Sequence, residues 1–354
     1  MDVKLERTDD KRMPMAILGG ELSADGEMIA AACMDGVYTL DLQSGVRKKH
    51  YTHESYARTA FWLSSNELFS TGYDGQARWF RLDSGEENRH QKLHQFWSWD
   101  AAISPDRHRY ASVTGQYIAG GYKYEPAEEI EPSVVIGDCE TGDVVHRLPH
   151  VPSVQAVAFS NDGRLVAAGN LMGEVRIFDI HSGDCISTIS TADFTSWGII
   201  KSHCYLGGIF ALRFTPDDKS LLLAGMGPMR DPMAGNGKQL WQKWEWSSGD
   251  QSKMIDQIHD GENGEGLMEA LAVHPEGTMF AMGGRLRGGD WNVALFSLET
   301  GNRLTTLKTG YRVTTLQFTD EGQSLLVMGT QGQPDHKKDG AFPDFGRIEK
   351  YRLS

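Results

Sequence analysis

No stretch of this 354-residue chain approaches the run of about 20 apolar residues that spans a bilayer, so no membrane role is expected. The opening segment MDVKLERTDDKRMPM is charged and lacks an apolar h-region, so no signal peptide is expected either. Cysteine is scarce. Cys33, Cys139, Cys185 and Cys204 stand far apart without CxxC spacing, which points to free, partly buried thiols in a reducing, cytoplasmic setting. A Cys185–Cys204 bridge is the only pairing worth looking for. Positive charge is also in deficit. Lys plus Arg is 35 against 48 for Asp plus Glu, a net charge of −13. That balance argues against non-specific nucleic-acid binding, which needs clustered cations for phosphates.

Catalytic and cofactor motifs are missing too. There is no GxSxG or SxxK, and the neighbours His203 and Cys204 do not make a nucleophile–base pair. The 12 histidines show no HxH or HExxH. His90 and His94 are four apart but fall in a strand and a linker, where helical i, i+4 geometry does not apply. DGENGEG at 260–266 lacks the terminal Glu register of a calcium loop. GMGPMRDPMAG and GGRLRGG have no following helix and no GK[ST] ending, so they read as loops rather than phosphate cradles. Neither a metal nor a cofactor is expected. Asp100, Glu269 and Asp231 could gather for acid–base work, but carboxylates that hydrogen-bond strand ends are the preferred reading.

What the chain does have is a repeated phrase. It reads DLQSG at 41–45, RLDSG at 81–85, DCETG at 138–142, DIHSG at 179–183, EWSSG at 245–249 and SLETG at 297–301, and the chain stops on RLS at 352–354. Self-similarity at roughly 40 residues marks a repeat architecture. The 40 glycines and the 40% hydrophobic fraction suit many short strands joined by turns. Within 151–183, VQAVAFS reads as a strand, NDG as a turn, RLVAAGN as a strand buried on both faces, MGE as a turn and VRIFDI as a third strand. HSG turns into DCISTIS, the fourth. The unit is therefore a four-stranded antiparallel meander, A to D. LSADG, ISPDR, FTPDD, VHPEG and FTDEG mark other A–B turns, with LSSNE a weaker copy. Seven units follow.

This pattern resembles the WD-repeat β-propeller family along nearly the whole chain. The naming Trp-Asp dipeptide is degraded to Leu40-Asp41, Phe80-Arg81, Gly137-Asp138, Phe178-Asp179, Trp244-Glu245, Phe296-Ser297 and Tyr351-Arg352. The family's Gly-His pair survives in part as Pro149-His150, with His94 at the matching offset. Its turn Asp stands at Asp35 and Asp74 and is missing at Met172-Gly173. The resemblance implies that the family's buried His–Asp network is absent from most blades. The expectation is an all-β, seven-bladed propeller over residues 1–354 as one domain. An N-terminal strand at about 2–8 should complete the last blade and cover its open edge.

Spacing carries the functional information. Gly45 to Gly85 is 40 residues and Gly142 to Gly183 is 41, whereas Gly85 to Gly142 is 57 and Gly183 to Gly249 is 66. The surplus falls in 115–132, 189–208, 225–238, 256–266, 283–291 and 329–346. All of these are B–C or D–A connections, which share one end of an antiparallel meander. Aromatic and Arg side chains there give the candidate binding set: Tyr117, Tyr122, Tyr124, Arg230, Asp231, Arg285, Arg287, Trp291, His336 and Phe342. Trp291 and Phe342 could equally pack their own loops. The resemblance implies a non-enzymatic scaffold for a protein or peptide partner. The alternative is an enzyme or small-ligand binder with a site at the top of the central channel.

Overall fold

The computed structural model describes residues 3–116, 129–197, 205–231, 236–247, 253–260, 265–287, 289–332 and 344–354. They form seven antiparallel sheets with two 3-10 turns at Ala192–Phe194 and Asp320–Gly322. Two compact units divide the chain. One holds residues 1–93, 270–285 and 291–354; the other holds 94–269 and 286–290.

In the first unit, Ile17–Leu22, Met28–Cys33, Gly36–Asp41 and Arg47–Tyr51 make blade 1, and Ala57–Ser64 to Glu86–Lys92 make blade 2. Blade 6 is Glu265–Val273, Met279–Arg287, Val293–Ser297 and Arg303–Leu307, of which residues 270–285 and 291–307 belong to this unit. Blade 7 is ordered as Arg312–Thr319, Ser324–Thr330, Gly346–Leu353 and then Leu5–Met13 from the other end of the chain. The closing strand thus exists and runs further than 2–8, pairing Leu5 with Leu353 through to Met13 with Gly346. A buried carboxylate helps hold it. Glu349 accepts hydrogen bonds from Arg7 of the closing strand at 2.9 Å, from Tyr311 at 3.0 Å and from Tyr351 at 2.6 Å.

The second unit contains blade 3 (Ser98–Ile103, Arg109–Thr114, Val134–Asp138, Val144–Leu148) and blade 4 (Val154–Phe159, Leu165–Asn170, Glu174–Asp179, Cys185–Ser190). Blade 5 differs from the four-stranded expectation. A short strand, Thr195–Trp197, pairs with the start of Tyr205–Phe214 and adds a fifth member to the sheet. The stretch 225–238, read from sequence as a loop, is largely strand: Ser220–Asp231 pairs with Asn236–Glu245 in a long hairpin. Glycine and proline in that stretch hid the continuing ladder.

Strand B is deeply buried where its side chains are described. Residues 29–33, 68–72 and 110–114 are buried throughout, as the largely apolar runs required. Both faces are then covered by neighbours. In the first unit Ile17, Ile29 and Leu40 of blade 1 pack with Met13, Leu326, Met328 and Ile348 of blade 7. In the second, Val113 and Ile136 meet Val157 and Phe178, and Val175 and Ile177 meet Leu212 and Leu223.

The repeat phrase is a turn for a physical reason. Gly45, Gly85, Gly142, Gly183 and Gly301 all have φ between 69° and 79°, a region that favours glycine. At the other turns a Ser/Thr-x-Asp motif recurs. The Ser23, Ser104, Ser160 and Thr215 hydroxyls donate to Asp25, Asp106, Asp162 and Asp217 at 2.5–2.7 Å. Each hydroxyl then accepts the backbone N–H five residues on, at Met28, Arg109, Leu165 and Ser220. One intact His–Asp network also exists, in blade 2. His53 Nδ1 donates to the Asp74 carboxylate at 3.0 Å, His53 Nε2 lies 2.9 Å from Ser70 Oγ, and Tyr51 donates to that same oxygen at 2.8 Å. The sequence reading found Asp74 but passed over Thr52-His53, which lacks the family's glycine.

These groups set an acid response in two stages. Burial, then the Lys48 charge, pushes His50 down to about 4. Burial, then the Arg176 charge, does the same to His150. Both stay neutral in the fold while the unfolded chain takes up protons from about 6.5 downward, so stability falls between about 6.5 and about 4. The turn carboxylates act lower. Hydroxyl hydrogen bonds, then backbone N–H groups, hold Asp25 and Asp106 below the usual range. At Asp162 burial pushes upward and the Ser160 and Arg164 hydrogen bonds outweigh it. Their contribution is present above about 4 and is lost as pH falls through the lowered values. Urea unfolding across pH should show both stages, and Asp106→Asn with Asp162→Asn should flatten only the lower one. A double variant with an unchanged lower slope would contradict this assignment.

Candidate functional site

Strand A carries a recurring irregularity. In six blades one residue is inserted opposite strand B: Leu18, Arg58, Trp99, Gln155, Phe210 and Thr314. Such bulges bend the strand and re-aim a side chain. In the first unit this position is structural. Arg58 donates to the Leu18 carbonyl at 2.5 Å and Thr314 to the Ile17 carbonyl at 3.0 Å.

The second unit uses the position differently. Trp99, the bulge residue of blade 3, belongs to a ladder of three aromatic rings. Phe96 and Trp97 have ring centroids 4.9 Å apart with planes 22° from parallel, and Trp97 and Trp99 are 6.0 Å apart at 21°. Phe96 is 37% exposed and Trp97 41%. The intervening chain is anchored from beneath. Ser98 Oγ and His94 Nε2 both meet the buried Ser112 hydroxyl, at 2.8 and 2.9 Å.

The same segment is gripped from above by the blade 3 B–C connection. Glu131 accepts the Gln95 N–H at 2.8 Å and the Phe96 N–H at 3.2 Å. Glu129 accepts from Ser133 at 2.9 Å and from His150 at 2.7 Å. Buried Gln116 holds this arm by accepting the Ile130 N–H at 3.0 Å and donating to Ser133 Oγ at 3.0 Å. Two carboxylates therefore tie one insertion to the D–A connections on either side of its blade. Ile130, 59% exposed, stands on this arm.

Further along the unit, Asp100 accepts the Val157 N–H at 3.2 Å. The role preferred from sequence is a bond to a strand end; Val157 lies within Val154–Phe159, so Asp100 instead meets that strand's free edge. Arg213 is exposed and donates to the Leu212 carbonyl at 2.8 Å. The Gln155 side-chain oxygen is buried and has no hydrogen-bond partner among the described residues.

The residues singled out from sequence fare unevenly. Tyr117, Tyr122, Tyr124, His336 and Phe342 lie outside the described residues. Arg230 and Asp231 end strand B of blade 5, and Arg285 and Arg287 end strand B of blade 6, with Arg285 exposed. Trp291 is only 5% exposed, and the Arg303 guanidinium sits 5.7 Å from its ring centroid. Cys33 and Cys139 are buried free thiols and Cys185 an exposed one, while Cys204 lies outside the described residues. The aromatic ladder was missed because attention went to long insertions. Its signal, Phe-Trp-Ser-Trp at 96–99, sits in a short connection.

No family model matches the chain. A solved structure, the Cps50 (Swd1) β-propeller domain of Myceliophteria thermophila, superimposes on 99% of this chain and 100% of its own, with TM-score 0.66 and 16% identity. Telomerase protein component 1 of Mus musculus is 27% identical over 158 residues, 44% of this chain. Apoptotic protease-activating factor 1 of Rattus norvegicus is 24% identical over 214 residues, 58% of this chain. The matched segments span only 5% and 15% of those two proteins.

The clasp can be tested directly. Glu131→Gln removes the charge that holds Gln95 and Phe96, so their amides should exchange with solvent roughly ten-fold faster by hydrogen-exchange mass spectrometry. Unchanged exchange would remove Glu131 from this role. Taken with the repeat phrase and the seven sheets, the superposition shows that the chain has the fold of a seven-bladed β-propeller.

Proposed function

We propose that this chain is a non-enzymatic scaffold that binds a protein or peptide partner through the ends of its blades that carry the B–C and D–A connections. One observation carries the reading: the unequal distribution of chain between the two kinds of connection. Every A–B and C–D turn is five residues or fewer, except the C–D turn of blade 5. The B–C connections instead include 115–133 and 331–345, and the D–A connection after blade 4 runs from 191 to 204 with a turn and a strand of its own. Loop drift without selection for function would lengthen both kinds alike.

The side chains at these ends support the same reading. Phe96, Trp97 and Ile130 are apolar groups held exposed on a fixed backbone. Large aromatic groups in that state are typical of recognition surfaces. For an enzyme, Asp100 would be the natural acid or base of this unit, but it is engaged with the Val157 N–H.

The test is affinity capture with three forms of the chain: wild type, Phe96→Ala with Trp97→Ala, and a control changed at a C–D turn, Val46→Ala. Partner recovery is expected to fall at least five-fold for the aromatic double variant and to stay at wild-type level for the control. Melting temperatures should match, since both sites are exposed. Equal recovery from all three forms would contradict the proposal.

A further inference from the structure

We infer that the outer strand of blade 4, Cys185–Ser190, is a self-association edge, on which the same strand of a second copy of this chain pairs antiparallel about Thr188. This surface is separate from the blade ends assigned above. Three observations carry it.

The first is a free ladder edge. The strand lies outermost in its sheet, and no described strand pairs beyond it. Thr191 donates its N–H to the Gly173 carbonyl at 2.9 Å, which sets the alternation along the strand. Ile189 opposite Val175 and Ser187 opposite Ile177 then turn their backbone groups inward. Thr188 and Ser190 turn theirs outward, and an unpaired row of this kind is a template for another strand. Cys185, Ile186, Thr188 and Ser190 are exposed, Ile186 to 48%.

The second is charge. The other outer strands are Leu5–Met13, Arg47–Tyr51, Glu86–Lys92, Val144–Leu148, Lys253–Asp260 and Arg303–Leu307, and each carries at least one Lys, Arg, Asp or Glu. Charges there discourage edge-to-edge pairing. Cys185–Ser190 has none. That difference selects the occupant. On a two-fold axis a residue meets its own copy, so a charge there opposes a like charge. Two copies of Arg47–Tyr51 would set cations against cations, whereas two copies of Cys185–Ser190 meet without that cost. A foreign strand of either sign would find no countercharge on this edge.

The third is register. Ile186 is an inserted residue, since Cys185 lies opposite Phe178 and Ser187 opposite Ile177. Such a bulge interrupts regular pairing, so the usable edge runs from Ser187 to Ser190. An axis at Ser190 would push the second copy against the 3-10 turn Ala192–Phe194. An axis at Thr188 keeps the pairing within the strand and lets the two Thr188 residues exchange N–H···O bonds. The shared row is short and each copy carries −13, so the contact is weak and strengthens as salt screens the repulsion.

The experiment is sedimentation velocity of the full chain over a micromolar concentration series at low and high salt, with hydrogen-exchange mass spectrometry on the same samples. One copy is expected to pass to two as concentration rises, more readily at high salt. The Thr188 and Ser190 amides should slow with concentration while those of 303–307 do not. Thr188→Arg should weaken self-association roughly five-fold, and Thr188→Val, neutral and β-branched, should retain it. Thr188 is exposed, so both variants should melt with the wild type. A single copy at every concentration, a dimer untouched by Thr188→Arg, or a dimer dissolved by salt would overturn the inference. So would self-association lost in Phe96→Ala with Trp97→Ala and kept in Thr188→Arg, which would move the contact to the blade ends.

Discussion

A four-stranded sheet buries its middle strands only when something covers both of its faces, and here the cover is another sheet of the same kind. The second strands are buried and largely apolar, with Ala30, Ala31 and Ala32 in one blade and Ala167 and Ala168 in another, all nearly or fully inaccessible. Small side chains there let neighbouring sheets approach closely, while larger ones such as Leu212, Leu223 and Ile177 fill the space between. No blade could sustain this composition alone, because an isolated sheet would expose one whole apolar face. The repeat is thus a requirement of packing before it is a record of ancestry.

That dependence fixes where variation can be tolerated. The strands and the tight turns are constrained together. Glycine occupies a left-handed conformation at five C–D turns, and a hydroxyl and a carboxylate recur at the A–B turns to satisfy backbone N–H groups. Strand A has a different difficulty, since its outer row of backbone groups faces no partner strand. Side chains from the adjoining blade take up that role: Glu21 accepts the Trp62 N–H, Gln317 the Leu22 N–H and Asp100 the Val157 N–H. Chemistry that looks catalytic in a list of carboxylates is therefore in part edge chemistry.

The fold was legible in the sequence because its determinants are local and repeated. The glycine phrase, the Ser/Thr-x-Asp turns and the alternation of the first residues all translate into the turns and the closing strand that the structure contains. Other features were hidden for physical reasons. The strand Thr195–Trp197 is too short to show a period, and the blade 5 hairpin carries glycine and proline that read as breakers. His53 escaped notice because its network is defined by contacts with Ser70 and Asp74 across the blade, not by neighbours in sequence. The aromatic ladder depends on a bulge at Trp99 and on a carboxylate 35 residues away, Glu131 reaching Phe96. Long insertions draw attention in a sequence, yet this surface is built on a short connection and merely braced by a long one.

The central functional claim is that the blade ends bearing the B–C and D–A connections face the partner. The most direct measurement places one photoreactive residue at a time at Gln95, beside the ladder, and at Ser44, in a C–D turn, and irradiates the full chain in its native extract. Covalent adducts with the partner are expected from position 95 and not from position 44. Adducts from position 44 alone would contradict the account.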